Sequence, residues 1–206
     1  MDKIQAALPA PHPLLIVVSG YSGAGKDSVI KRLQDLGYPL HFVVTATSRA
    51  QRQGEVPGID YHFLSRQDFA AMLSRDEFLE HALVYGEDYG VPKLQVREAL
   101  SSGQDVVMRL DVQGAATLRK LVPDALLIFI STASEDELIR RLQARRTESP
   151  EALRRRLDTI AQEIAYISVF DYVVINRDGQ LDEAVSQILA IISTEKCRVR
   201  PRVVSI

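Results

Sequence analysis

Four short apolar runs, LLIVVS (14–19), DVVMRLD (105–111), ALLIFI (125–130) and YVVI (172–175), recur along the chain, each next to a segment with helical spacing. Runs this short and this continuously apolar predict strands buried on both faces, as in a parallel sheet covered by helices. After the first run comes a glycine-rich turn, and then Val29, Ile30 and Leu33 repeat at helical spacing and stop before Gly37. Near the carboxyl end, Leu181, Ala184, Val185, Ile188, Leu189 and Ile192 fall on one face of a helix that should pack on the sheet. The alternation predicts an α/β fold with a mainly parallel sheet. Residues 41–90 break the rhythm: the strand-like pieces HFVVTAT and DYHFL alternate with turn residues ahead of a helix at about 66–76. This insert is expected to form a smaller subdomain. Residues 1–13, punctuated by Pro9, Pro11 and Pro13, are expected to form a flexible arm, and the tail 197–206 has no assignment.

Composition narrows the class without naming it. The 206 residues are 46% hydrophobic and 25% charged, enough apolar material for a real core in one domain. The net charge of -2 creates no general basic field, so no nucleic-acid or membrane partner is expected and any site for a polyanion must be built locally. A lone cysteine, Cys197, cannot close an internal disulfide and suits a reducing compartment. The amino end has no secretory pattern and no apolar run approaches a membrane span, so a cytoplasmic protein is expected.

The stretch GYSGAGKDSV, Gly20 to Val29, nearly fits the phosphate-loop pattern G-x-x-x-x-G-K-[ST]. A loop between a buried strand and a helix aims backbone N–H groups and the helix dipole at a phosphate. Gly20, Gly23 and Gly25 allow close approach, and Lys26 reaches the terminal phosphates. Asp27 stands where a hydroxyl is usual, but a carboxylate is a good hard ligand for Mg²⁺, and Ser28 supplies a hydroxyl one position later.

A second anion site is written in TSRAQRQGEVPGIDYHFL, Thr47 to Leu64, where Arg49 and Arg52 lie three apart and Tyr61 follows. Two guanidinium groups and a phenol are suited to one phosphate. Here the chain resembles the guanylate kinases, whose signature T-[ST]-R-x2-[RK]-x2-[DE]-x2-G-x2-Y-x-F is met by Thr47, Ser48, Arg49, Arg52, Glu55, Gly58, Tyr61 and Phe63. The resemblance runs from about Leu14 to Lys196.

That resemblance implies a P-loop NTPase three-layer sandwich, a small GMP-binding subdomain at about 41–90 and an arginine-rich lid at about 141–157. It implies phosphorylation of GMP, with dGMP as a second substrate, by ATP with Mg²⁺. Carried over residue by residue, the ATP site comprises Gly20, Tyr21, Ser22, Gly23, Ala24, Gly25, Lys26, Asp27 and Ser28, with Arg141 and Arg145 beside the lid and Asn176 near the adenine. Arg49, Arg52, Tyr61 and Tyr89 match residues that hold the GMP phosphate, Glu80 the carboxylate facing guanine N1–H and the 2-amino group, and Thr45 a hydroxyl near O6. Asp111 closes an apolar strand, as an acidic residue near Mg²⁺ does, and belongs to the acceptor side as well. Mg²⁺ is expected to be held mainly through nucleotide phosphates and water, with Asp27, Ser28 and Asp111 as protein candidates. Lys26, Arg49, Arg145 and Arg156 are expected to surround the transferring phosphoryl group.

Three positions depart from the family pattern. Asp27 replaces the commoner Ser or Gly, Val91 stands where many members have a hydroxyl facing guanine O6, and Arg109 stands where many have an acidic residue. The first implies altered metal coordination, the second a missing contact of about 1 kcal/mol, the third a changed nucleotide contact. The alternatives are a phosphosugar kinase of the same fold resembling ribose bisphosphate phosphokinase, where G-K-D-S is also at home, and a non-catalytic guanylate-kinase-like binding module. A regulatory GTPase would use DVQG, Asp111 to Gly114, as a switch, but it lacks an N-K-x-D motif.

Overall fold

The computed structural model describes residues 12–84, 86–144 and 150–206, without the side chains of residues 144, 150–153, 155 and 156. Strand β1, Leu15–Gly20, is wholly buried and lies at the centre of a five-stranded parallel sheet. Its neighbours are β7 (Asp105–Arg109) and β8 (Leu126–Ser131), with β2 (Leu40–Phe42) and β9 (Tyr172–Ile175) at the edges. Alternation along β1 explains why its run is continuously apolar. Ile16 and Val18 enter one core cluster, and Leu15 and Val17 enter another.

Helices α1 (Lys26–Asp35) and α7 (Leu181–Lys196) cover the first face, burying Val29 and Leu33 against a cluster that holds Ala184, Val185, Ile188 and Ile192. The stripe read in the sequence of α7 is its buried face, with Leu181 and Leu189 at the margin. On the second face lie α3 (Lys93–Ser101) and α4 (Val112–Leu121), contributing Val96, Ala99, Ala115 and Leu118. The expected α/β sandwich is therefore found.

A second, four-stranded sheet has the order β4-β3-β6-β5, from β3 (Ala46–Thr47), β4 (His62–Phe63), β5 (Phe78–Val84) and β6 (Glu87–Pro92). Helix α2 (Arg66–Ser74) begins at Ser65, whose hydroxyl accepts the Asp68 N–H at 3.0 Å. Its Phe69 stacks on Phe78 with ring centroids 4.5 Å apart, giving this sheet its own small core. The HFVVTAT segment, read as one piece of the insert, is divided: β2 pairs with β7 in the main sheet, and only β3 belongs to the second. The register with β7 lets His41 and Phe42 extend the main sheet by an edge strand before the chain turns away.

The chain continues through α5 (Glu135–Ala144), α6 (Pro150–Ile164) and a 3-10 turn at Ala165–Val169. The tail is tied down. Val204 and Ile206 pack on the second cluster, and Arg202 Nε donates to the Glu195 carboxylate at 2.8 Å. Burial pushes Glu195 up, but hydrogen bonds from Arg202, Tyr172 and Arg198 prevail and hold it at about 2.

Candidate active site

Parallel sheets present ligand sites at the carboxyl ends of their central strands, and β1 and β7 end here at the loop 20–25 and at Asp111. The loop turns tightly because it has no side chains where it meets its neighbours. A Cβ on Gly20 would lie 2.2 Å from the Ile130 carbonyl oxygen, and one on Gly25 would lie 2.4 Å from Asn176 Nδ2. Gly25 has φ 92 and caps α1, a conformation that strains residues with a Cβ.

The loop is braced from below. Asn176 Nδ2 donates to the Ala24 carbonyl at 2.9 Å, and Arg141 donates to the Asn176 carbonyl at 2.7 Å and to Asp178 at 2.7 Å. Arg141 also pairs with Glu137. Asn176 and Arg141, two of the residues expected beside ATP, thus hold the loop that would hold its phosphates. Lys26 Nζ donates to the carbonyls of Gly20 at 2.7 Å and Tyr21 at 3.1 Å. Burial lowers the Lys26 pKa, and the carboxylates of Asp27 and Glu163 work against that shift. Glu163, on α6, accepts the Ser22 N–H at 3.1 Å. That loop donor and its carboxylate partner lie 141 residues apart, and no local pattern signals their contact.

Beside the loop, between the two sheets, lies a cavity of about 330 Å³ lined by Lys26, Asp27, Thr45, Arg52, Tyr61, Glu80, Tyr89, Arg109 and Asp111. A second cavity of about 260 Å³, lined by Gly20, Ser22 and Glu163 among others, shares Lys26 and Asp111 with it. Two spaces meeting at one lysine and one carboxylate suit two anionic ligands brought together. Asp111 caps α4, accepting the Gly114 N–H at 2.7 Å. Ser28 is exposed on the first turn of α1. Arg145 lies outside the described residues, as does the side chain of Arg156.

Arg49 does not line the cavity. Its guanidinium takes both oxygens of Glu55, at 2.7 and 3.1 Å, and its Nε donates to the Tyr89 hydroxyl at 3.2 Å. The Glu55 hydrogen bonds raise its pKa further above the usual arginine range. Glu55, a signature position, therefore orients an arginine, a role its spacing alone did not reveal. Val91 is wholly buried in the second core cluster and does not line the cavity, so the contact expected to be missing there is replaced by apolar packing.

Glu80 carries the strongest chemical signal. It is 5% exposed, and its Oε1 has no hydrogen-bond partner among the described residues. Burial, with the nearby Asp111 carboxylate, pushes its pKa from 4.5 to about 8. A buried acceptor without a donor is costly, so the site is poised for a ligand that brings one. An acid whose folded pKa exceeds its unfolded value keeps an extra proton when folded. Its stabilising share is complete below about pH 4.5 and is lost as pH climbs through about 8. Ligand-free protein should therefore lose stability between those limits, by up to roughly 1.4 kcal/mol per pH unit, and Glu80→Gln should remove that slope. Urea unfolding of both proteins at several pH values checks this; parallel curves would contradict it.

Among the described residues, no group of three or more His, Cys, Asp or Glu is placed to hold a metal by itself. Asp27 and Asp111 nevertheless offer hard oxygens to the same cavity as Lys26, a donor set that fits Mg²⁺ held mostly by phosphates. None of the described helices is long and apolar enough to cross a membrane.

A family model described as guanylate kinase matches residues 12–195. The chain is 49% identical over 199 residues to a guanylate kinase 2, chloroplastic/mitochondrial, of Oryza sativa subsp. japonica, covering 96% of this chain and 70% of that protein. It is 45% identical over 186 residues to a guanylate kinase of Caldanaerobacter subterraneus subsp. tengcongensis, covering 90% and 89%. The crystal structure of guanylate kinase from Anaplasma phagocytophilum superposes with a TM-score of 0.75 at 29% identity, covering 91% of this chain and 88% of that one.

Proposed function

The chain belongs to the guanylate kinase family, and from that premise we propose that the cavity beside Lys26 is the GMP site of an ATP-dependent kinase making GDP, with dGMP as a second acceptor. The enzyme is an ATP:GMP phosphotransferase. The observation that carries the site assignment is Glu80, whose Oε1 has no partner among the described residues, a need that guanine meets because its N1–H and 2-amino group are adjacent donors. Adenine presents an acceptor at N1, which would leave the buried carboxylate unpaired.

Opposite the base, Arg52 and the phenols of Tyr61 and Tyr89 line the same cavity and would receive the acceptor phosphate. The signature arginine Arg49, held by Glu55 and Tyr89, joins them by exchanging one of those partners. The loop N–H groups and Lys26 would hold the donor phosphates. Glu163 must then release the Ser22 N–H. The acceptor is an anionic phosphate oxygen, so no strong general base is required; the work is to bring two polyanions together and neutralise them. Asp27, Ser28 and Asp111 would orient Mg²⁺ or its waters, and the ion would supply charge neutralisation at the phosphates. Arg145 and Arg156 keep the lid role that the resemblance gives them. Soluble, cytoplasmic action is part of this reading.

Product analysis separates a kinase from an ATPase. With γ-labelled ATP and GMP, the label should appear in GDP; label released only as inorganic phosphate would overturn the proposal.

A further inference from the structure

Two of the three departures from the family pattern touch each other. Arg109 ends β7, and its Nη1 donates to Asp27 Oδ1 at 2.5 Å across 82 residues of sequence. Its Nη2 donates to the Tyr61 hydroxyl at 2.5 Å, and the guanidinium carbon lies 5.1 Å from the centre of the Tyr61 ring. One anchor sits on the first turn of the phosphate-loop helix. The other comes from the insert that carries the second sheet.

Arginine has five N–H groups in a planar fork, and among the described residues only two of those on Arg109 are engaged. A surface arginine extends its charged head into bulk water. This one is 27% exposed in its side chain and lines the cavity with Arg52 and Lys26. A fork clamped on two sides, with donors to spare and a tyrosine of the acceptor site as partner, is shaped to receive an oxyanion. It also explains how a carboxylate can stand at the edge of a phosphate loop, because the charge of Asp27 is met by a guanidinium.

We propose that Arg109 is an acceptor-phosphate ligand of this enzyme and that its pairing with Asp27 cancels a carboxylate that would otherwise repel the incoming GMP phosphate. The inference rests on the assignment of the cavity to GMP. Arg109 donates to the phosphate beside Arg52 and Tyr61. Asp27 acts on the acceptor side through Arg109, in addition to any part it takes with the metal.

Calorimetric titration with GMP and with guanosine, without ATP or Mg²⁺, tests the pairing apart from turnover. Arg109→Gln should weaken GMP binding by ~10-fold or more, as expected for loss of a charged hydrogen bond, and should change guanosine binding less than about two-fold. Arg109→Lys, which keeps the charge and loses the fork, should fall between. In Arg109→Gln the Asp27 carboxylate is left unpaired, so adding Asp27→Asn should recover at least about three-fold of the lost GMP affinity. Unchanged GMP binding by Arg109→Gln, or equal loss of GMP and guanosine, would overturn the phosphate contact. A double variant no better than Arg109→Gln would overturn the charge pairing. Wild-type protein that fails to bind GMP at all would instead remove the assignment of the cavity.

Discussion

Lys26→Ala is expected to lower kcat by about a thousand-fold or more, while the thermal unfolding midpoint moves by only a few degrees. Removing one preorganised donor from a transition-state site typically costs 10²–10³ in kcat, and Lys26, which lines both cavities, would serve two ligands at once. Without nucleotide its ammonium group is held by the carbonyls of Gly20 and Tyr21, at the place where the terminal phosphates would lie. The fold should tolerate the loss. Gly20 lines the second cavity, where water can replace the ammonium at its carbonyl, and the braces from Asn176 and Arg141 to Ala24 remain. A coupled assay for kcat and calorimetry for the midpoint check both halves. A variant retaining a tenth of the wild-type kcat would contradict the role of Lys26.

Glu80→Ala should raise the KM for GMP by about a hundred-fold and relax the choice of base. Two charged hydrogen bonds contribute roughly 1.5 to 3 kcal/mol each, but part of that is consumed before guanine binds. Burial pushes the Glu80 pKa to about 8, so at neutral pH the carboxyl must first give up a proton, at a cost of roughly 1.4 kcal/mol for each unit. The KM for ATP should stay within about two-fold. Steady-state kinetics with GMP, IMP and AMP measure the effect: a GMP preference over AMP unchanged in Glu80→Ala would show that base choice lies elsewhere.

The parts legible in the sequence are those written locally. The phosphate loop is a contiguous pattern between a buried strand and a helix, and the face of α7 repeats at helical spacing, so each announces its own environment. The Thr47–Phe63 signature is also contiguous, and its Arg52 and Tyr61 line the cavity. Apart from the local pairing of Glu55 with Arg49, what stays hidden depends on residues far apart in sequence. Ser22 meets Glu163 and Asp27 meets Arg109 only because α6 and β7 converge on the loop. The sequence presents position 109 as a changed nucleotide contact, whereas the structure makes it the partner of Asp27, a second departure. Arg141 was legible as a functional arginine but not as a brace beneath the loop, since its partners Asn176 and Asp178 come from the segment after β9. The sheet to which HFVVTAT belongs was hidden for the same reason: residues with strand propensity do not reveal which sheet offers the pairing edge.

The most direct measurement is ADP release from Mg-ATP with GMP, AMP, UMP or ribose 1,5-bisphosphate as acceptor. Turnover with GMP and none with the other three is the predicted result, since only guanine supplies the adjacent donors that Glu80 lacks. Turnover with the sugar bisphosphate alone, or with none of the four, would contradict the assignment of this chain as a GMP kinase.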